Sequence, residues 1–168
     1  RTFLDQHVRD LVSIDFFIVP TVKFRVLFVF IVLAHDRRRI VHFNVREHPT
    51  AQWTAQQIVE AFPFDTAPSY LIRDGDGIYG ERVTRRIESL GIDEVITAPA
   101  SPWQNANVER VIGTLRRELF DHVIVLNERH LKRLMSSYVD FYHPWRTHQS
   151  LNSDTPDGRP ARAAESCN

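Results

Sequence analysis

The sequence contains little cysteine and no long apolar run, and each shortage excludes a class of protein. Cys167 is the only cysteine among 168 residues, so the sequence allows neither an internal disulfide nor a cysteine-rich zinc site. The longest apolar run, Val26–Ala34, is shorter than the roughly 18 residues needed to cross a bilayer. The N-terminal residues show no signal-peptide pattern. We therefore expect a cytoplasmic protein with no membrane partner.

The sequence also lacks an excess of charge of either sign. It has 21 basic and 21 acidic residues, and its formal net charge is zero. Proteins that hold nucleic acid by overall charge are usually basic, so any such contact here has to be local. With 43% hydrophobic residues, the chain is long enough for one domain with a buried core. It does not begin with Met, and residues 1–10 are expected to be the lead-in of a truncated chain.

The hydrophobic pattern changes its period near residue 50. Before this point, three short apolar segments joined by turns predict an antiparallel meander of three strands. After it, helical spacing alternates with two further strands, as in parallel α/β sheets. The predicted strands cover residues 11–17, 24–34, 40–45, 69–73 and 94–98. The pattern predicts an α/β core, a mixed five-stranded sheet flanked by helices, over residues 11–153, and a polar, flexible tail over 154–168.

Three acidic residues lie in or directly after these elements. Asp15 interrupts the first apolar strand, where burying a carboxylate costs several kcal/mol unless it has a partner or a metal. Asp74 follows the fourth strand, at the edge where α/β sheets place ligands, and Glu109 lies on a later helix. If the three converge, a cation must offset their repulsion, and oxygen ligands without cysteine suit Mg²⁺ or Mn²⁺. Taken singly, Asp74 also fits a turn and Glu109 a solvated helix face.

Residues 101–119, SPWQNANVERVIGTLRREL, predict a helix that has one apolar face and one polar face. Ser101 is the predicted N-cap, and a proline follows at the first helical position. Asn105, Glu109 and Arg116 share the polar face at steps of four and seven residues. This face either lies in solvent or directs Glu109 towards a site.

Four segments resemble, in order, the integrase catalytic core of bacterial insertion-sequence (DDE) transposases, whose fold is shared with retroviral integrases. The segments are SIDFF, LIRDGDGIY, TAPASPWQNANVERVIGTLRREL and YVDFYHPWRTHQSLNSDTP. The resemblance implies an RNase H-like fold and an Asp-Asp-Glu triad, which Asp15, Asp74 and Glu109 match. Between them lie 58 and 34 residues, the latter one fewer than is common in the family.

The chain departs from the family pattern in two respects. Many members have Ser-Asp-Arg-Gly around the second acid, whereas this chain has Arg-Asp-Gly-Asp, so Asp76 competes with Asp74. Asp74 is favoured because it follows the strand directly. The zero net charge and the absence of a helix-turn-helix region before the first strand are both consistent with a truncated chain.

The resemblance implies a metal-dependent DNA transposase or integrase core that cleaves and joins DNA strands by phosphoryl transfer. The implied catalytic and metal-binding residues are Asp15, Asp74 and Glu109, which would hold two Mg²⁺ or Mn²⁺ ions; the implied DNA-binding residues are Asn105, Arg110, Arg116 and Arg117. The expected partners are DNA element ends, target DNA and further copies of the chain, in a bacterial cytoplasm. Two alternatives stay open: an RNase H-like nuclease without strand transfer, and a non-catalytic DNA-binding or self-association module derived from a transposase.

Overall fold

The computed structural model describes residues 8–63, 66–98 and 105–158. Within these ranges the chain forms five strands and four α-helices. The strands are β1 (Leu11–Pro20), β2 (Val26–Ala34), β3 (Arg39–Arg46), β4 (Tyr70–Arg73) and β5 (Asp93–Ile96). The helices are α1 (Ala51–Ala61), α2 (Gly80–Ser89), α3 (Ala106–Glu118) and α4 (Glu128–Trp145). Short 3-10 turns cover Val8–Asp10, Phe120–His122 and Gln149–Leu151.

The strands form one mixed sheet in the order β3-β2-β1-β4-β5. The first three strands pair antiparallel, and β4 pairs parallel to both β1 and β5. This confirms the predicted meander followed by two parallel strands. β1 extends three residues beyond its predicted end, because Ile18, Val19 and Pro20 pair with the beginning of β2.

Helices cover both faces of the sheet, and the alternation of each strand decides which side chains meet which helices. Phe17 and Val19 of β1 pack in one core with α3 and α4. Val12 and Ile14 pack in a second core with α1 and α2. Ser13 and Asp15 share the alternation of Phe17, so they belong to the face that α3 and α4 cover.

The helix boundaries follow signals that are visible in the sequence. Thr50 caps α1, since its hydroxyl accepts a hydrogen bond from the Trp53 amide at 3.2 Å. Gly91 adopts a positive φ of 70° just after α2, which agrees with its predicted role as a helix stop. The predicted start of the third helix, at Ser101, lies outside the described residues. In the described part of the chain, α3 begins at Ala106.

Residues 154–158 are attached to the turn between β2 and β3. The Arg37 guanidinium donates to the Asp154 carboxylate at 2.6 Å and to the carbonyl oxygens of Thr155 and Pro156 at 2.6 and 2.8 Å. Thr155 is only 1% exposed. For these five residues the chain differs from the flexible tail expected from 154 onward, because an arginine 117 residues earlier provides the attachment. The domain boundary at 153 stays a prediction.

None of the helices within the described ranges is long and apolar enough to cross a membrane.

Candidate active site

The sheet places Asp15 and Asp74 on neighbouring parallel strands. The pairing of β1 with β4 matches Leu11 with Tyr70 and Ser13 with Ile72. The same register, continued by two residues, sets Asp15 opposite Asp74, directly after the end of β4. Because side chains alternate along a strand, the Asp15 carboxylate belongs to the face that α3 covers.

Helix α3 brings Glu109 to the same region. Asn105, just before the helix, is 5% exposed, and its side-chain amide donates to the carbonyl oxygen of Ile14 at 3.4 Å. The carbonyl of Asn105 accepts a hydrogen bond from the Glu109 amide at 3.3 Å, so Glu109 lies one helical turn further along. The beginning of α3 is therefore fixed beside Asp15, and Glu109 is exposed on its surface.

The pKa of Asp15 depends on the charges of the other two acids. Burial, together with the negative charges of Asp74 and Glu109, raises the pKa of Asp15 to about 7, although two other groups lower it. These are the Phe16 amide, which donates to the Asp15 carboxylate at 2.7 Å, and the positive charge of Arg116. A carboxyl group in this position is close to half-ionised at neutral pH, so a cation that bound beside it would favour its ionised form.

Asp74 is better placed than Asp76 to be the second acid. Within the described residues, Asp76 is not among the charged groups that shift the pKa of Asp15, whereas Asp74 is. Both form local turns: Asp74 accepts from the Asp76 amide at 3.3 Å, and Asp76 accepts from the Ile78 amide at 3.2 Å. Asp76 is also exposed and two residues further from the sheet.

The donor set suits a hard divalent cation, because it consists of carboxylate oxygens without cysteine or histidine. The negative charges of Asp74 and Glu109 both raise the pKa of Asp15, as expected where acids lie near one another. In the ranges that the structure describes, however, no group of three His, Cys, Asp or Glu side chains lies close enough to hold a metal ion. The residues fit Mg²⁺ or Mn²⁺ in their chemistry, and they are coupled through space without being gathered into one coordination group.

Arg73, which pairs with Glu94, holds the backbone of Asp74. Arg73 is 6% exposed, and its guanidinium donates to Glu94 at 2.6 Å and to the backbone oxygen of Asp74 at 2.8 Å. The same guanidinium lies over the Tyr79 ring, 5.1 Å from its centroid. Arg73 and Glu94 were not among the predicted site residues, although an arginine that closes the apolar segment YLIR was an available signal.

A buried polar bridge joins β1 to α3. The His35 ring lies 2.6 Å from the Ser13 hydroxyl through Nε2 and 3.0 Å from the Asn107 amide nitrogen through Nδ1. Arg38 donates to the Asn107 side-chain oxygen at 2.8 Å, which orients the amide so that its NH₂ faces His35. His35 Nδ1 is therefore an acceptor, and its Nε2–H donates to Ser13. Burial lowers the pKa of His35 to about 4, which agrees with a neutral ring.

This Ser13–His35–Asn107 bridge ends two residues before Asp15 on β1 and two residues before Glu109 on α3. It therefore holds together the two elements that carry these acids. Its partners are separated by 22 and 72 residues in the chain, so periodicity along the sequence gives no sign of it.

The predicted DNA-binding residues fall into different environments. Arg110 and Arg117 line a groove of about 1020 Å³ together with Glu109 and Arg38. Arg116 is exposed, and its charge reaches Asp15.

Asn105 is buried, and its amide supports β1 through the carbonyl oxygen of Ile14, so its contact with DNA stays a prediction. The oxygen of its side chain is buried without a hydrogen-bond partner in the described part of the chain.

Comparison with known proteins bears on the family and the fold. The family model for the integrase core domain matches residues 90–156, a stretch that contains Glu109 but neither aspartate. No curated protein is similar enough to count as a match.

Many solved structures share the fold, and three of them are described here. A chain of the simian T-cell lymphotropic virus intasome in complex with PP2A regulatory subunit B56 gamma is 14% identical, with a TM-score of 0.72 over 88% of this chain and 52% of that one. The catalytic core domain of BIV integrase is 19% identical, with a TM-score of 0.62 over 89% and 91%. The HTLV-2 integrase catalytic core domain in complex with magnesium, in a trimeric form, is 12% identical, with a TM-score of 0.65 over 88% and 93%.

The chain thus has the RNase H-like fold of an integrase catalytic core. The family match and the fold together support an integrase-like core, as the four sequence segments predicted. The chain spans about half the length of the intasome chain and about nine tenths of the two catalytic core domains.

Proposed function

We propose that this chain is the catalytic core of a metal-dependent polynucleotidyl transferase that cleaves and joins DNA strands. The observation that carries the proposal is the environment of Asp15. Its carboxyl group is half-buried, and burial together with the charges of Asp74 and Glu109 raises its pKa to about 7. Perturbed carboxylates that share a site are typical of functional centres. These three acids also match the triad that the sequence resemblance implies.

Asp15, Asp74 and Glu109 would hold Mg²⁺ or Mn²⁺. When bound, two such ions activate the attacking hydroxyl and offset charge on the leaving oxygen of a phosphodiester. The magnesium in the HTLV-2 integrase core structure supports this choice of cation. The chain's own contribution is to position the acids: the Ser13–His35–Asn107 bridge holds α3 on β1, and Arg73 holds the backbone of Asp74.

The groove beside Glu109 is the proposed path of the DNA backbone. Arg38 and Arg110 lie close enough for the charge of Arg110 to contribute, after burial, to a lowered pKa of Arg38. A phosphate between two such cations would relieve their repulsion. Arg117 lies further along the same groove. Contacts of this kind position the backbone without reading sequence, and they need no net positive charge on the whole chain.

Self-association is part of the proposal, because the structures that share this fold include an intasome and a trimeric integrase core. The second candidate function is a non-catalytic, DNA-binding module. The observation that favours it is that the acids in the described ranges are not gathered closely enough to hold a metal.

One assay separates the candidates. The wild-type chain, Asp15→Asn and the matched control Asp76→Asn are incubated with Mn²⁺, a supercoiled plasmid and a labelled oligonucleotide with a free 3′-hydroxyl. Nicked plasmid and joined oligonucleotide with the wild type and Asp76→Asn, but not with Asp15→Asn, are the expected result. Nicking without joining would identify a nuclease. Binding of DNA without either product in all three proteins would identify the module and refute the catalytic proposal.

A further inference from the structure

A second groove, of about 680 Å³, lies between α1, α2 and the end of β3. These helices cover the opposite face of the sheet from α3 and α4. The new groove is therefore separated from Glu109 by the whole sheet. Four arginines line it, Arg46, Arg82, Arg85 and Arg86, and its described lining contains no acidic residue.

The positive charge of this groove is mostly uncompensated. Arg85 pairs with Glu81 at 2.5 Å, one helical turn away, in a pair that is largely exposed. Arg46, Arg82 and Arg86 are exposed and form no ion pair within the described ranges. The chain as a whole is neutral, so these three arginines are a local concentration of charge. Exposed like charges on one surface repel each other, and an anion that bound among them would be favoured.

We infer that this α1–α2 groove binds the phosphodiester backbone of a second nucleic-acid segment, separate from the segment at Glu109. Arginine guanidinium groups form paired hydrogen bonds with phosphate oxygens. Arg82, Arg86 and Ser89 recur at steps of four and three residues, so they lie along one side of α2. From Arg82 to Ser89 the helix rises about 10 Å, the length over which one strand of B-DNA carries about three phosphates.

The remaining lining favours a nucleic-acid backbone over an acidic polypeptide. Thr50 and Gln52 add a hydroxyl and an amide donor that suit phosphate and sugar oxygens, whereas the Gln56 amide already donates to Glu60 at 3.2 Å. Polypeptide partners are usually anchored by apolar or aromatic side chains in a buried pocket. Here Trp53 is already packed against Phe16 and Phe30, and an alanine is the other apolar residue of the described lining.

The inference rests on the proposed function in one respect, because a strand-joining enzyme needs two DNA partners at once. Its test requires no catalysis. Fluorescence anisotropy with a short labelled DNA duplex is measured in EDTA over a range of KCl concentrations, for the wild-type chain and for Arg82→Gln/Arg86→Gln. Each lost phosphate contact reduces the slope of log K against log salt by about 0.9, so the double variant is expected to lose about two units of slope.

The matched control is Arg129→Gln/Arg133→Gln, which removes the same charge from an exposed face of α4 on the other side of the sheet. Its slope should equal that of the wild type. An unchanged slope in Arg82→Gln/Arg86→Gln, or an equal loss in both double variants, would overturn the inference. So would a groove variant that loses binding to poly-L-glutamate but keeps its binding to DNA, because the partner would then be an acidic polypeptide.

The two proposals fail separately. If the wild-type chain cleaves no DNA but the groove variant has a smaller salt slope, the proposed function is contradicted and the proposed DNA-binding groove is supported. If the wild-type chain cleaves and joins DNA and all variants have the same salt slope, only the proposed DNA-binding groove is contradicted.

Discussion

The substitution Asp15→Asn should make the metal-free protein more stable. Burial and the charges of Asp74 and Glu109 raise the pKa of Asp15 from 3.8 to about 7, so ionised Asp15 is unfavourable in the folded chain. Asparagine removes the charge, and its side-chain oxygen can still accept the hydrogen bond from the Phe16 amide. The native site therefore loses an electrostatic cost and keeps its local geometry.

The expected gain depends on pH. Because the folded-state pKa is raised, the wild type holds its extra stability below about pH 4 and loses it as the pH rises towards 7. The variant does not titrate at this position. The difference in free energy of unfolding should grow from near zero at pH 4 to its full value above pH 7. The full pKa shift corresponds to about 4 kcal/mol, and roughly 2–3 kcal/mol remains after allowance for solvent screening of a half-buried group.

Urea denaturation at several pH values, followed by tryptophan fluorescence, measures this difference. Asp76→Asn is the control, and because Asp76 is exposed its effect should stay within about 0.5 kcal/mol. Added Mn²⁺ should reverse the order, because it binds the ionised wild-type site and not the variant. A variant that is no more stable than the wild type at pH 8 would refute the electrostatic reasoning.

Two further predictions concern the groups that position the acids. His35→Gln should reduce the free energy of unfolding by about 1–3 kcal/mol, because one end of the Ser13–His35–Asn107 bridge is left without its buried partner. Urea denaturation measures this loss, with the exposed His122→Gln as the control. Equal stability of the two variants would contradict the prediction. Glu94→Ala should reduce the free energy of unfolding by about 3–5 kcal/mol, because it leaves the buried Arg73 without its carboxylate partner. A loss no larger than that of the exposed control Glu88→Ala would show that the Arg73–Glu94 pair is dispensable.

The order of the elements could be predicted from the sequence because each element carries a local signal. The apolar alternation of the first strands, the Thr50 cap and the stop at Gly91 are all short-range patterns, and the structure confirms them. The end of β1 was placed three residues early because Ile18 to Pro20 are strand residues only through their pairing with β2. Pairing partners are not visible in a local window.

Residues of the candidate site could be predicted from the sequence only where they interrupt the apolar pattern of a strand or helix. Asp15 stands out as an acid inside an apolar strand, and Asp74 as the first residue after one. Asn105 was assigned to DNA binding through the family resemblance. A resemblance does not show the packing of the helix start on Ile14, which buries the amide. The arginines of the α1–α2 groove lie on β3 and α2, two elements that are far apart in the sequence and that only the fold brings together.

Calorimetric titration of Mn²⁺ can show whether Asp15, Asp74 and Glu109 form one metal site, as we propose. The wild-type chain and Glu109→Gln are titrated at pH 7.5, each alone and with a DNA duplex present. We expect binding heat in the wild type, in at least the DNA-bound form, and its loss in Glu109→Gln. Equal heat in both proteins, or no heat in either with DNA present, would contradict the claim and leave Glu109 as a solvated residue of α3.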